Sequence, residues 1–364
     1  MNNKLKEKLA QLNKKYSSVS LASDIPPIDT VISTGSIGLD IALGVGGIPV
    51  STTKDSEGNL LNKAGKIIEL VGWGSAGKST LNFHIIANAQ KAGINVVYLD
   101  SENSFDKFYA QNLGVNVKDL ILIKLDETGG EGAYAKMEEL VSTGEIGLVI
   151  IDSYNGFQPL KILEDGLDSA NIGLHSRMMS KLCAKANADA TQYGTTYIFV
   201  GQLRLNIGVT HGDPSITQGG RALEFYSHIR IEASRSTTQA NSVYAGATGK
   251  SERLGNLHKV KVFKNKVAPP FKNAEYNIFY GKGIDQLGEI MQLGKEYGLL
   301  KMRAGIITFN EEKYEEKDFR ALLEEPGFFN TLRDQIILAA KKLPEPDPEP
   351  DIDLITDKIA EEIE

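Results

Sequence analysis

Five short runs between residues 66 and 203, KIIELVG, INVVYLD, LILIKL, GLVIIDS and TTYIFVGQL, are β-branched and almost continuously apolar. A strand with one wet face alternates apolar with polar side chains, so a strand that is apolar throughout must be covered on both faces. Segments of helical spacing separate the earlier runs and supply the covers. The pattern predicts an α/β fold around a mainly parallel central sheet. After Ser227 the texture changes: SHIRIEAS, HKVKVFKNK and AEYNIFYG alternate apolar with polar residues and succeed one another without helices, as antiparallel strands with one solvated face do. Residues 284–342 return to helical spacing around one short strand, AGIITF, and read as a small separate α+β domain. No internal repeat is present.

Leu5, Leu9, Leu12 and Tyr16 recur at helical spacing with lysines between them, which predicts an amphipathic N-terminal helix whose stripe needs something to pack on. The same stretch lacks the apolar core and cleavage site of a secretory signal, and no run approaches the roughly 18 apolar residues of a membrane span. A cytoplasmic protein with no membrane partner is expected. The single cysteine, Cys183, excludes an internal disulfide and any multi-cysteine metal site, and reads as a buried thiol. Of the formal net charge of −7, the segment PEPDPEPDIDLITDKIAEEIE at 344–364 carries −8, which leaves the rest of the chain near +1. The overall acidity therefore does not exclude a polyanionic partner, and a tail this acidic and proline-rich is expected to be disordered. The polar excursion 50–65 reads as a surface loop or hairpin.

The first apolar run ends in GWGSAGKS, residues 72–79, which fits G-x-x-x-x-G-K-[ST] without mismatch and lies between a strand and a helix. In such a loop, formed here by Gly72, Trp73, Gly74, Ser75, Ala76, Gly77, Lys78, Ser79 and Thr80, glycines let successive backbone N–H groups turn inward onto phosphate oxygens. Lys78 adds a point charge at the β and γ phosphates, and Ser79 offers a hydroxyl to Mg²⁺. A second carboxylate must organise the metal, and Asp152 ends the apolar run GLVIIDS. Hydrolysis of ATP also needs a base to orient and deprotonate water. Asp100 and Glu102, in VVYLDSEN, both stand at a strand end, and the residues alone leave the choice between them open.

ISTGSIGLDIALGVGGIP, the glycine loop, YLDSEN followed by FDKFYAQNLGV, VIIDS, GLHSRMMSK, GQLRLNIGV, TQGGRALEFY and VKVFKNKVAPPFKNAEYNIFYGKGI resemble, in order and spacing, the RecA family of homologous-recombination ATPases, over residues 32–298. The resemblance implies a RecA-type core at 32–283, preceded by an oligomerisation helix and linker at 1–31 and followed by the α+β domain at 284–342 and the tail at 343–364. It gives the base role to Glu102, the adenine contacts to Asp106, Tyr109 and Tyr280, and the γ-phosphate sensor to Gln202. Lys264 and Lys266 resemble lysines that a neighbouring subunit inserts onto the phosphates, although on a bare reading they are alternate residues of a strand facing solvent. Two segments would bind DNA, 164–177 and 204–221, with Ile172 and Ile207 as wedges between bases and Gly173, Arg177, Arg204, Gly219, Gly220 and Arg221 at or beside the phosphates. Backbone contacts of this kind carry no sequence information, so any sequence is bound. The chain departs from the family pattern at Asn206, at Glu224 and in the excursion 50–64.

The expected function is an ATP-dependent recombinase that polymerises head to tail on single-stranded DNA, samples homologous duplex DNA and exchanges strands, with loading or mediator proteins as further partners. Two rivals use the same core: a ring-forming ATPase or helicase, and a regulatory ATP-binding protein without DNA activity.

Overall fold

The computed structural model describes residues 2–16, 21, 23, 28, 30–51, 65–164, 173–205, 215–217, 221–236, 238, 242–245 and 252–342. The excursion at 52–64 and the acidic segment from 343 onward lie outside the described residues. The chain divides into two units, Met1–Ile284 and Asp285–Glu364.

In chain order the first unit contains α1 (Asn3–Tyr16), β1 (Val31–Ile32), α2 (Ile37–Ala42), β2 (Ile48–Pro49), β3 (Ile67–Gly72), α3 (Lys78–Lys91), β4 (Asn95–Asp100) and α4 (Lys107–Asn112). It continues through β5 (Ile121–Lys124), α5 (Gly129–Val141), β6 (Ile146–Asp152), α6 (Leu160–Glu164), α7 (Leu174–Tyr193), β7 (Thr196–Leu205), β8 (Ser215–Thr217) and α8 (Ala222–Tyr226). It ends with β9 (Ile229–Arg235), β10 (Ser242–Ala245), β11 (Glu252–Asn265), β12 (Lys272–Phe279) and β13 (Gly283–Ile284). Among the described residues one sheet runs in the order β13-β12-β11-β9-β3-β7-β6-β4-β5, with β10 beside β11 and β8 beside β7. The six strands from β9 to β5 pair in parallel, and β9, β11, β12 and β13 pair antiparallel.

The two covered faces explain the continuous apolar runs. Ile68, Leu70, Val96, Tyr98, Ile150 and Val200 point to one side, where they pack with Leu81, Phe83 and Ile85 of α3. Their neighbours Ile67, Val97, Leu99, Ile151, Tyr197 and Phe199 point to the other, against Tyr134 and Met137 of α5 and Met179 and Cys183 of α7. Alternate residues of one strand therefore meet two different cores. Burial pushes the Cys183 thiol up to about 12, so it is a packing group. Of the α1 stripe, Leu5 is 55 % exposed while Leu9 and Leu12 are half-buried among the described residues. Among the described residues no helix is long and apolar enough to cross a membrane.

The second unit holds α9 (Gln286–Glu296), β14 (Lys301–Arg303), β15 (Ile306–Phe309), β16 (Glu312–Glu315), α10 (Glu316–Leu323) and α11 (Pro326–Lys341). Its sheet is antiparallel, in the order β14-β15-β16, where the sequence showed only the AGIITF strand. The flanking strands KMR and EKYE are too short and too polar to display a period of two, and they are recruited by pairing to β15.

One charge breaks the apolar pattern of β3. Glu69 is 1 % exposed and forms an ion pair with Arg230 of β9, its in-register neighbour, while the Tyr154 hydroxyl donates to its other oxygen at 3.1 Å. The Arg230 guanidinium also lies 4.6 Å from the centroid of the Phe263 ring. Burial holds the Glu69 carboxyl above its ordinary range, opposed by Arg230. Removing one partner of such a pair strands a buried charge. Arg230→Met is expected to destabilise the protein by about 3–5 kcal/mol at neutral pH, measured by urea unfolding. A carboxyl whose folded pKa is raised binds its proton more tightly folded than unfolded, so the deficit should shrink as pH falls toward 5 and grow as pH rises.

Candidate functional site

The parallel strands present their carboxyl ends along one edge, the place where open α/β sheets bind ligands. Gly72, the last residue of β3, is in register with Gln202 of β7 and Ala233 of β9. A Cβ at Gly72 would meet the Ala233 carbonyl oxygen at 2.2 Å, so glycine is required for β3 to close on β9 before it turns. The loop then exposes Trp73, Gly74 and Ser75, buries Ala76, and enters α3 through Gly77 in the left-handed region at φ +80. No side chain caps α3, so its first N–H groups remain for an anion.

Lys78 donates from Nζ to the carbonyls of Gly72 and Trp73 at 2.9 and 3.0 Å. Its burial lowers the ammonium pKa, against the opposing pull of Asp152 and Glu102. Ser79 Oγ donates to Asp152 Oδ2 at 3.0 Å, and the Tyr98 hydroxyl donates to the same oxygen at 2.8 Å. Burial raises the Asp152 pKa, and these two hydrogen bonds counter it. Among the described residues no group of three His, Cys, Asp or Glu side chains is placed to hold a metal. The hydroxyl of Ser79 and the carboxylate of Asp152, side by side at the loop's mouth, instead fit Mg²⁺, which takes one or two protein oxygens and fills its octahedron with phosphates and water.

The two acids left open by the sequence have different surroundings. Asp100 is 1 % exposed and accepts from the backbone N–H groups of Glu102, Ser104 and Phe105 at 3.3, 3.1 and 2.9 Å, so it is spent on folding the turn after β4. Glu102 is exposed and accepts from the Gln202 side-chain amide at 3.0 Å and from the Ser153 hydroxyl. Gln202 is itself held through its backbone N–H, which donates to Asn155 Oδ1 at 2.8 Å.

The glycine loop, Glu102, Asp152 and Gln202 line one cleft of about 870 Å³, within the range that accepts a nucleotide-sized ligand. On one wall the Tyr109 hydroxyl shares a hydrogen bond with Thr80 Oγ1 at 2.9 Å, and Asp106 caps α4 by accepting from the N–H groups of Phe108 and Tyr109 at 2.9 and 3.0 Å. His258, Ile278 and Tyr280 line the same cleft. Tyr280 is 51 % exposed and donates its hydroxyl to Asn256 Oδ1 at 2.7 Å. Tyr98, Ser153, Asn155, Asn256 and His258 were not singled out in the sequence. Tyr98 had a signal, a hydroxyl-bearing ring two residues before Asp100 in an apolar run; Ser153 directly follows Asp152 and Asn155 lies just beyond it, whereas Asn256 and His258 had none, because β11 joins this sheet only through pairing.

Lys264 and Lys266 are not alternate residues of a regular strand. The register of β11 against β9 shifts between Val262 and Lys264, a bulge that re-aims Lys264, and Lys266 stands beyond the strand's last residue, Asn265. Lys264 Nζ donates to the carbonyls of Glu224 and Phe225 at 2.6 and 3.4 Å, at the end of α8, and burial with the nearby charges of Lys266 and Arg230 lowers its pKa. Lys266 is exposed. Of the residues read as DNA contacts, Gly173 precedes α7 at φ +78, Arg177 lies exposed in its first turn, Arg204 is exposed near the end of β7, and Arg221 is exposed at the start of α8. Ile172, Ile207, Gly219 and Gly220 lie outside the described residues.

The RecA N-terminal domain family matches residues 3–285. Protein RecA of Gluconobacter oxydans is 36 % identical over 354 residues, covering 95 % of this chain and 96 % of that one. Protein RecA of Porphyromonas gingivalis is 39 % identical over 307 residues, 84 % and 83 % of the two chains, and that of Streptomyces venezuelae 40 % over 287 residues, 79 % and 69 %.

Asp100→Ala removes the acceptor of three backbone donors. A loss of about 2 kcal/mol in unfolding free energy is expected, read by urea denaturation without ligand; unchanged stability would show that water replaces the carboxylate.

Proposed function

The chain belongs to the RecA family, and from that premise we propose that it is an ATP-dependent DNA recombinase, which assembles head to tail on single-stranded DNA and exchanges strands with homologous duplex DNA. One observation carries the reading: the glycine loop, Asp152, Glu102 and Gln202, from four different strand ends, line the same nucleotide-sized cleft.

The reaction is ATP + H₂O to ADP + phosphate. The loop's N–H groups and Lys78 hold the β and γ phosphates, with Tyr109 and Tyr280, which line the same cleft, for the base. Ser79 and Asp152 would hold Mg²⁺, which would supply positive charge to offset that developing on the phosphate oxygens. Glu102 orients the attacking water and takes its proton, and Ser153 keeps that carboxylate aimed. Gln202 is the link to DNA. Its side-chain NH₂ donates one hydrogen to Glu102 here and has a second to offer a γ-phosphate, whose arrival would shift the amide. Because Gln202 belongs to β7, which runs on through Arg204 toward the segment 206–214, a shift of that amide is passed directly to the DNA-binding stretch. Lys264 and Lys266 complete the phosphate site of a neighbouring subunit, which makes hydrolysis depend on assembly. A head-to-tail contact whose rotation does not close yields an open filament.

Electron microscopy with single-stranded DNA and a non-hydrolysable ATP analogue tests the reading. Open helical filaments are expected; closed rings or monomers would refute it. Glu102→Gln is expected to bind ATP normally and lose at least about 100-fold in DNA-stimulated turnover, with filaments that persist, measured by phosphate release. Lys264→Ala combined with Lys266→Ala is expected to keep the nucleotide affinity of isolated subunits while abolishing DNA-stimulated turnover; an unaffected rate would remove the lysines from the neighbouring site.

A further inference from the structure

His258 sits on β11, and at 4 % exposure it is almost fully enclosed between the cleft and the sheet. Its ring stacks on Tyr276, the paired residue of β12, with centroids 6.4 Å apart and planes 10° from parallel. Nδ1 lies 3.1 Å from the backbone carbonyl oxygen of Ala76, inside the glycine loop. A carbonyl oxygen only accepts, so Nδ1 carries the proton and the tautomer is fixed. The fit is close on the other side as well, since a Cβ on Gly77 would meet Nδ1 at 3.1 Å. Burial lowers the imidazole pKa, so the ring is neutral at neutral pH and adds no charge beside the phosphates.

This contact controls more than one oxygen. In a planar trans peptide the carbonyl of one residue and the N–H of the next point in opposite directions. Holding the Ala76 carbonyl against β11 therefore turns the Gly77 N–H away from that wall and into the bend of the loop. Two residues earlier on the same face of the strand, Asn256 is fully buried and fixes the Tyr280 ring through its hydroxyl. One strand thus sets both ends of the ligand's cradle, the phosphate turn by His258 and the base-side ring by Asn256.

We propose that His258 is a positioning residue of the nucleotide site, which donates from Nδ1 to the Ala76 carbonyl and so holds the phosphate-binding turn in its receptive conformation before the ligand arrives. The proposal rests on the nucleotide reading of residues 72–79.

The test is the affinity of the full chain for a fluorescent ADP analogue with Mg²⁺, alongside the thermal unfolding midpoint without nucleotide. His258→Leu removes the donor at similar volume, and His258→Asn keeps a short N–H donor. A loss of about ten-fold in affinity is expected for His258→Leu, most of it recovered in His258→Asn, and KM for ATP should rise while kcat at saturation changes little. If His258→Leu does not fold, His258→Phe keeps the ring against Tyr276 without the donor and carries the same expectation. A donor-free variant that binds like the parent, or an Asn variant no better than Leu, would overturn the proposal. The parent protein and Lys78→Ala separate the two ideas: binding by the parent that Lys78→Ala abolishes upholds the loop reading whatever His258 does, and no binding by the parent sinks both.

Discussion

The pairing of β3 with β7 on one side and β9 on the other is the constraint on which the site depends. Parallel strands share a direction, so their carboxyl ends arrive together, and the register decides what meets there. Gly72 opposite Gln202, and Asp100 opposite Asp152, place four chain segments at one edge. A slip of one residue in any of these pairs would turn the apolar side chains to the wrong core and remove the reactive groups from the cleft at the same time. Fold and site are thus specified by the same contacts.

Much of this was legible in advance because two periodicities act on the same residues. Strands apolar on both faces can only be interior, and a glycine loop of the pattern at 72–79 suits a phosphate only between a strand and a helix, so the runs and the motif support one another. The N-terminal helix and the change to antiparallel pairing after Ser227 were legible from spacing too. What stayed hidden depends on pairing across long separations. Nothing near His258 announces that its partner is Ala76, 182 positions away, and no local pattern shows that Asp100 would be consumed by three backbone donors while Glu102 stays exposed. The bulge beside Lys264 and the three-stranded sheet of the second unit are likewise consequences of a neighbour's register, not of the segment's own composition.

The cleft's ionisable groups are set apart by their surroundings. Asp152 and Lys78 are pressed toward neutrality by burial and retained as charges by hydrogen bonds and by each other. Glu69, further back on β3, is in the same position with Arg230. A site assembled from buried, mutually compensated charges is rigid, because moving one group leaves another without compensation. The exposed Glu102 is the exception: it accepts from the Gln202 side-chain amide and from the hydroxyl of the buried Ser153.

Lys264 has a further consequence. Its ammonium sits on the last carbonyls of α8, a helix that begins immediately after Arg221. Any anion that draws this ammonium outward leaves those carbonyls bare and loosens the short helix, and anything that stiffens the helix makes the ammonium costlier to withdraw. Thermodynamic reciprocity then requires that whatever binds at one end change the affinity at the other by an equal factor. A single side chain, resting on its own subunit's backbone, would act as a latch between two ligands that never touch.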